Sequence, residues 1–194
     1  MPTPTTTSVV LCAAITGFAW IAFVISWLAL AIVFRDGGTR YGSARTRGVR
    51  LVLAIAILFA VRNTASTIEP LGGLTRDKAG AAAGAALCVV GLAFAIWARV
   101  ALGRNWGMPM TLHDNPELVT SGPYRLVRHP IYTGVSAMMI GTALVYPLAA
   151  LACLVWIGYA VFSALREERD MERRFPGVYS DYKRRSKMLV PFLF

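Results

Sequence analysis

Apolar runs constrain this chain more than any other feature. They cover Val9 to Phe34, Val49 to Leu71, Ala79 to Leu102 and Ile131 to Leu165. The first three are each long enough to cross about 30 Å of hydrocarbon as a helix. The fourth is longer and is interrupted by Tyr146-Pro147, where proline removes a backbone donor and breaks a helix. It reads as two helices of about 16 to 18 residues, near the lower limit for spanning. The expected fold is therefore an all-α integral membrane protein of five transmembrane helices. The last two form a hairpin, and a cytoplasmic C-terminal helix and loops follow.

Only 15% of the 194 residues are charged and 56% are hydrophobic, less charge than a soluble domain carries. The net charge of +10 invites comparison with nucleic-acid binders. Here, however, the basic residues flank apolar runs instead of forming one patch with interleaved aromatics, so no nucleic-acid partner is expected. Cys12, Cys88 and Cys153 lie inside apolar runs and read as packing residues, with no metal site implied. The Pro/Thr-rich start Met1 to Ser8 lacks the charged region of a signal peptide, and the first run reads as a retained span.

Arg35, Arg40, Arg45, Arg47 and Arg50 cluster after the first span. The positive-inside tendency puts that loop in the cytoplasm and the N-terminus outside. In the second span Arg62 lies roughly 18 Å beyond Arg50 along a helix, where it snorkels, pairs with Glu69 or faces a polar cavity. Gly80, Gly84 and Gly91 in the third span have packing value, with Gly80-x-x-x-Gly84 permitting close helix approach. The Gly-x-Gly-x-x-Gly dinucleotide fingerprint is absent.

Leu102 to Arg128 is the long polar stretch of the interior, on the cytoplasmic side by span count. Both histidines of the chain, His113 and His129, lie in this region or just after it. Pro130 suits the first turn of the next helix, whose N-terminus carries unpaired N–H groups and partial positive charge. Arg128 and His129 beside it make an anion-binding corner for a carboxylate or phosphate. Tyr124 and Tyr132 offer aromatic faces for a flat base or a cation. Glu167-Glu168, at the end of the fifth helix and on the same side, offers carboxylates to a ribose or ammonium group. A ligand with an anionic end, an aromatic ring and cationic character fits the set, and S-adenosylmethionine has all three. The alternative for each part is membrane anchoring or a solvated helix end.

The charged run Arg166 to Phe175 continues the fifth helix out of the membrane, with Asp170 and Arg174 spaced to pair. Pro176-Gly177 ends it, and the apolar tail Met188 to Phe194 folds back on the membrane face or the site.

Gly122-Pro123-Tyr124, Arg128-His129-Pro130-Ile131-Tyr132-Thr133-Gly134, Glu167-Glu168, Phe175, Tyr179, Tyr182 and Pro191 together resemble the isoprenylcysteine carboxyl methyltransferase family, itself similar to the phospholipid N-methyltransferases. Leu102-Gly103-Arg104-Asn105-Trp106 matches a weaker motif of that family. The resemblance covers about the C-terminal half. It divides the chain into N-terminal transmembrane helices, 1–101, and a catalytic part, 102–194. It implies a membrane methyltransferase using S-adenosylmethionine, with cofactor contacts at Leu118, Val119, Tyr124, His129, Pro130, Tyr132 and Glu167. Arg128, Glu167, Glu168 and Arg166 are the implied catalytic group. Prenylcysteine enzymes carry an arginine where this chain has Ser163, and Arg166, nearly one turn later, is the candidate replacement. The implied acceptor is an isoprenylcysteine carboxylate or a related lipid at the cytoplasmic face. The alternatives are a phospholipid or small-molecule N- or S-methyltransferase, and an NADPH-dependent membrane reductase of the sterol reductase type.

Overall fold

A computed structural model describes residues 4–34, 74–75, 77–105 and 117–191. The expected second span Val49 to Leu71, the Arg35 to Arg50 cluster and His113 lie outside the described residues. The described part is helical: α1 (Pro4–Val33), α2 (Lys78–Leu102), α3 (Pro130–Val145), α4 (Ala150–Arg174) and α5 (Val178–Arg185). Short 3-10 turns cover Gly103–Asn105, Gly122–Arg125 and Pro147–Ala149. Among the described residues, three stretches are long and apolar enough to cross a membrane: Thr7–Ala31, Lys78–Leu102 and Pro147–Arg174. At 16 residues, α3 rises only about 24 Å. It spans a bilayer only where the bilayer is thin.

Local chemistry sets the boundaries. Asp77 caps α2, its carboxylate accepting from the N–H groups of Ala79 at 3.0 Å and Gly80 at 2.8 Å. Gly103, with φ at +52°, turns the chain out of α2 in a backbone region that a Cβ disfavours. Pro130 opens α3 at a position that needs no N–H. The expected break at Tyr146-Pro147 is present: α3 ends there, a 3-10 turn follows, and α4 begins at Ala150.

Helices α2 and α3 run antiparallel, with backbone pressed against backbone. A Cβ on Gly91 would stand 2.6 Å from the Gly134 carbonyl oxygen, and one on Gly84 would stand 2.5 Å from that of Gly141. The four glycines form two facing pairs, seven residues apart along each helix. Gly80 plays a different part from the one its spacing suggests. The space a Cβ would need there is filled by the Asp77 side chain, 2.5 Å away, so Gly80 serves the cap, and Gly84 and Gly91 carry the packing.

Helix α1 lies against this pair through Ala19, Trp20, Phe23, Val24 and Trp27, which are buried with Cys88, Ala95, Val135 and Met138. Trp20 and Trp27 are packing aromatics, and Phe23 stacks on Trp27 with ring centres 4.9 Å apart. Deep in this layer the Trp20 indole N–H donates to the Thr142 hydroxyl at 2.9 Å, which in turn donates to the Met138 carbonyl at 2.7 Å. Helix α4 returns along α3. The Trp156 indole donates to the Ser136 hydroxyl at 3.1 Å, and the outer face of α4, including Leu151, Leu154, Val155 and Phe162, is exposed.

Candidate active site

Four segments converge where α3 begins and α4 ends: the 3-10 turn at Gly122–Arg125, the first turn of α3, the last turns of α4, and α5 with the tail behind it. A carboxylate pair organises them. Adjacent helix residues point about 100° apart, so Glu167 and Glu168 look in different directions. Glu168 is turned inward and is only 3% exposed, while Glu167 is 35% exposed.

Glu168 is surrounded by cations. Arg128 Nε donates to its Oε1 at 2.6 Å, and Lys183 Nζ lies 2.9 Å from its Oε2. His129 Nε2 is 3.6 Å from Oε1. A buried carboxylate is tolerable only with such partners. Lys183 also reaches Glu172 at 3.0 Å, and the hydrogen bond to Glu168, followed by that to Glu172, raises the lysine above its ordinary range. Arg128 and His129 stand together at the start of α3 as expected, and the chain's own glutamates face them. The cause is the length of α4, which runs on past the apolar stretch and delivers both carboxylates to the start of α3.

Glu167 serves the accessible side. Tyr132 donates its hydroxyl to Glu167 Oε1 at 2.7 Å, and His129 Nδ1 lies 3.5 Å from Oε2. The His129 and Tyr132 rings stack with centres 5.8 Å apart, and Tyr132 meets Trp156 edge-on at 6.3 Å. His129 is 8% exposed, and its Nε2 has no hydrogen-bond partner among the described residues. Burial alone would disfavour the imidazolium, but the adjacent Glu167 and Glu168 carboxylates outweigh it, and the net shift is upward.

Tyr124 is buried and lies in the 3-10 turn, where its carbonyl accepts the Tyr182 hydroxyl at 2.6 Å. Burial, first among the causes, drives the Tyr124 and Tyr179 phenols upward and pushes Tyr182 up to about 12. All three shifts favour the protonated phenol.

The sequence-derived residues fall into two groups. Tyr124, Arg128, His129, Pro130, Tyr132, Glu167 and Glu168 come together at this junction. Leu118 and Val119 are half-buried in the segment leading to it. Arg166 lies apart: its guanidinium sits 5.6 Å from the centre of the exposed Phe162 ring, and Ser163 is half-buried. The expected Asp170–Arg174 pair is replaced by an exposed Arg173–Asp170 contact at 3.6 Å.

Lys183 and Arg99 are two residues that the sequence reading did not single out. Lys183 is one of several cations in a basic run, and nothing in that run singles it out. Arg99 did carry a signal, since it is a lone charge in the apolar run of α2. It is 1% exposed, with Nη1 donating to the Gly103 carbonyl at 2.9 Å and Nη2 3.5 Å from that of Leu30. Rings of Phe34 and Trp27 lie 5.1 Å and 6.0 Å from its guanidinium carbon. It therefore joins the C-terminal ends of α1 and α2, where partial negative charge favours a cation.

A family model described as "Phospholipid methyltransferase" matches residues 79–177, a stretch holding α2, α3, α4 and both glutamates. The nickel-cobalt-cadmium resistance protein NccN of Alcaligenes xylosoxydans xylosoxydans is 32% identical over 113 residues, 56% of this chain and 52% of that protein. Methanethiol S-methyltransferase 2 of Bradyrhizobium diazoefficiens is 37% identical over 71 residues, 37% of this chain and 27% of that enzyme. A probable protein-S-isoprenylcysteine O-methyltransferase of Oryza sativa subsp. indica is 28% identical over 115 residues, 57% of this chain and 60% of that protein. The chain thus spans between about a quarter and three-fifths of the length of these relatives. No solved structure matches. Matched over about half its length, in the part that carries the carboxylate pair and the Arg-His-Pro corner, the chain belongs to the phospholipid methyltransferase family.

Proposed function

We propose that this protein is an integral membrane methyltransferase. It transfers the methyl group of S-adenosylmethionine to a lipophilic acceptor, of the isoprenylcysteine type or a related lipid or thiol, at the cytoplasmic membrane face. The observation that carries the reading is the meeting of His129, Tyr132 and Glu167. Residues 38 apart in sequence are brought to 3.5 Å, beside an aromatic face and next to a buried imidazole whose Nε2 makes no hydrogen bond among the described residues. These groups fit the proposed cofactor. The partly exposed Glu167 carboxylate suits an ammonium or ribose group, and the Tyr132 and Tyr124 rings suit a sulfonium or an adenine. Leu118, Val119 and Pro130 would complete the cofactor's surroundings.

S-adenosylmethionine supplies a methyl group already activated on a cationic sulfur. The protein's task is then alignment and exclusion of water. Arg128 and Glu168 hold the corner through their buried pair, and Tyr132 fixes Glu167 through its hydroxyl. A carboxylate acceptor needs no base at neutral pH. A thiol or amine acceptor must lose a proton, and Glu167 is the group placed to take it, because the neighbouring phenols Tyr124, Tyr179 and Tyr182 are held protonated. Arg166, over Phe162, is placed to meet an anionic acceptor or headgroup arriving along the outer face of α4. The relatives' named activities differ in the acceptor atom, oxygen in the isoprenylcysteine enzyme and sulfur in the methanethiol enzyme, and the proposed acceptor class includes both.

The test is equilibrium binding of methyl-labelled S-adenosylmethionine to purified protein, then incubation with a lipid extract and identification of the labelled product. His129→Ala and Glu167→Ala are expected to lose binding while keeping their helical circular dichroism. Wild-type affinity in both variants would sink the site assignment.

A further inference from the structure

The segment Ser186 to Leu189 forms a strap across the start of α3, and its main-chain oxygens are used one after another. The Ser186 carbonyl accepts from the Arg128 guanidinium. The Lys187 carbonyl accepts the Arg128 N–H at 2.8 Å, and the Met188 carbonyl accepts the His129 N–H at 3.2 Å. The Leu189 carbonyl accepts the Thr133 hydroxyl at 2.6 Å. Four consecutive carbonyls therefore face residues 128 to 133, and Val127 and Lys187 pair as in a parallel ladder.

Two of these donors, the N–H groups of Arg128 and His129, lie at the entrance to α3, where N–H groups have no partner within the helix. The strap supplies that partner with backbone, so its side chains are free to do something else. Met188 and Leu189 turn inward, are 5% and 7% exposed, and pack with Ala164, Val161 and Tyr132. One strap thus bonds the backbone of His129 and shares an apolar cluster with Tyr132, the two residues that face Glu167.

Thr133 is the link that side-chain chemistry can test. Its oxygen lies 2.6 Å from the Leu189 carbonyl and 3.2 Å from that of His129. A hydroxyl has one proton, and the shorter contact takes it. Resting on the proposed cofactor site, we infer that Thr133 and the strap Ser186–Leu189 are positioning elements that set the direction of His129 and Tyr132 toward Glu167.

The experiment compares full-length Thr133→Val, Thr133→Ser and Asp77→Ala with wild type. Asp77 caps the far end of α2 and serves as a control for general loss of stability. The readouts are the dissociation constant for labelled S-adenosylmethionine and amide hydrogen exchange at Arg128 and His129. Thr133→Val is expected to weaken binding roughly five- to tenfold, the effect of one hydrogen bond, and to speed exchange at both amides. Thr133→Ser restores both within about twofold, and Asp77→Ala changes neither. The inference is overturned if Thr133→Val matches wild type, if serine does not rescue, or if Asp77→Ala shifts binding as much. If wild type binds no labelled cofactor, the functional reading falls, and the exchange rates alone decide the strap: unchanged exchange in Thr133→Val refutes it.

Discussion

Helix α3 has two unlike sides. Toward α2 it offers glycines, and backbones touch with no room for a methyl group. Toward α4 it offers Tyr132, Ser136 and the Arg128-His129 corner, and the contacts are hydrogen bonds, ion pairs and ring edges. Glycine packing fixes position through van der Waals contact, which in a bilayer replaces the hydrophobic drive. Polar contacts fix direction but require every partner to be present. One helix face acts as a foundation and the other as a working surface, and the two should fail differently.

The largest expected effect is on the foundation. Gly91→Leu must displace the Gly134 backbone and is expected to destabilise by 3 kcal/mol or more, beyond the ~1–3 kcal/mol of ordinary overpacking. Little monodisperse protein should be recovered after detergent extraction, and a well-folded variant would break the comparison. Next comes the buried clasp. Glu168→Ala leaves Arg128 buried without its carboxylate and should cost ~3 kcal/mol, read as a lower thermal midpoint. Glu167→Gln, on the exposed side, should lose cofactor binding with little change in that midpoint.

A smaller effect concerns pH. His129 is raised above its usual 6.5, so its charged form is favoured in the fold. That stabilisation is fully present below about 6.5 and disappears as pH rises through the higher folded value. Wild type should therefore lose thermal stability relative to His129→Gln between mildly acidic and mildly alkaline buffer. A constant difference would remove the imidazolium from the picture. The smallest effect sharpens the contrast from the other side. Gly158 on α4 has nothing within 4 Å of a built Cβ, and Gly158→Ala should shift stability by no more than about 0.5–1 kcal/mol, in the favourable direction.

What could be read from sequence follows the same division. Apolar length and the proline at position 147 foretold the apolar helices among the described residues and the break between α3 and α4, because both are local properties. The carboxylates and the Arg-His-Pro corner were legible as chemistry, since charge beside a membrane run is conspicuous. Which glycines pack was not: Gly80 and Gly84 share a motif, yet only the contact partner, Asp77 or Gly141, tells them apart. The fold-back of the tail at Met188 and Leu189 was legible from its apolar character, but the strap's bonding was not, because it works through main-chain carbonyls that every sequence possesses. Nor did spacing decide Arg166, whose rotation about α4 carries it onto Phe162.

The bond between the Trp20 indole and the Thr142 hydroxyl has an implication for how this protein diverges or is engineered. In hydrocarbon an indole N–H finds no solvent to accept it, so α1 is keyed to α3 in rotation as well as in depth. A transplanted first helix would dock only if it presented a donor at the same height and angle. The N-terminal helix is in this sense an inherited component, matched to its acceptor, and not an interchangeable membrane anchor.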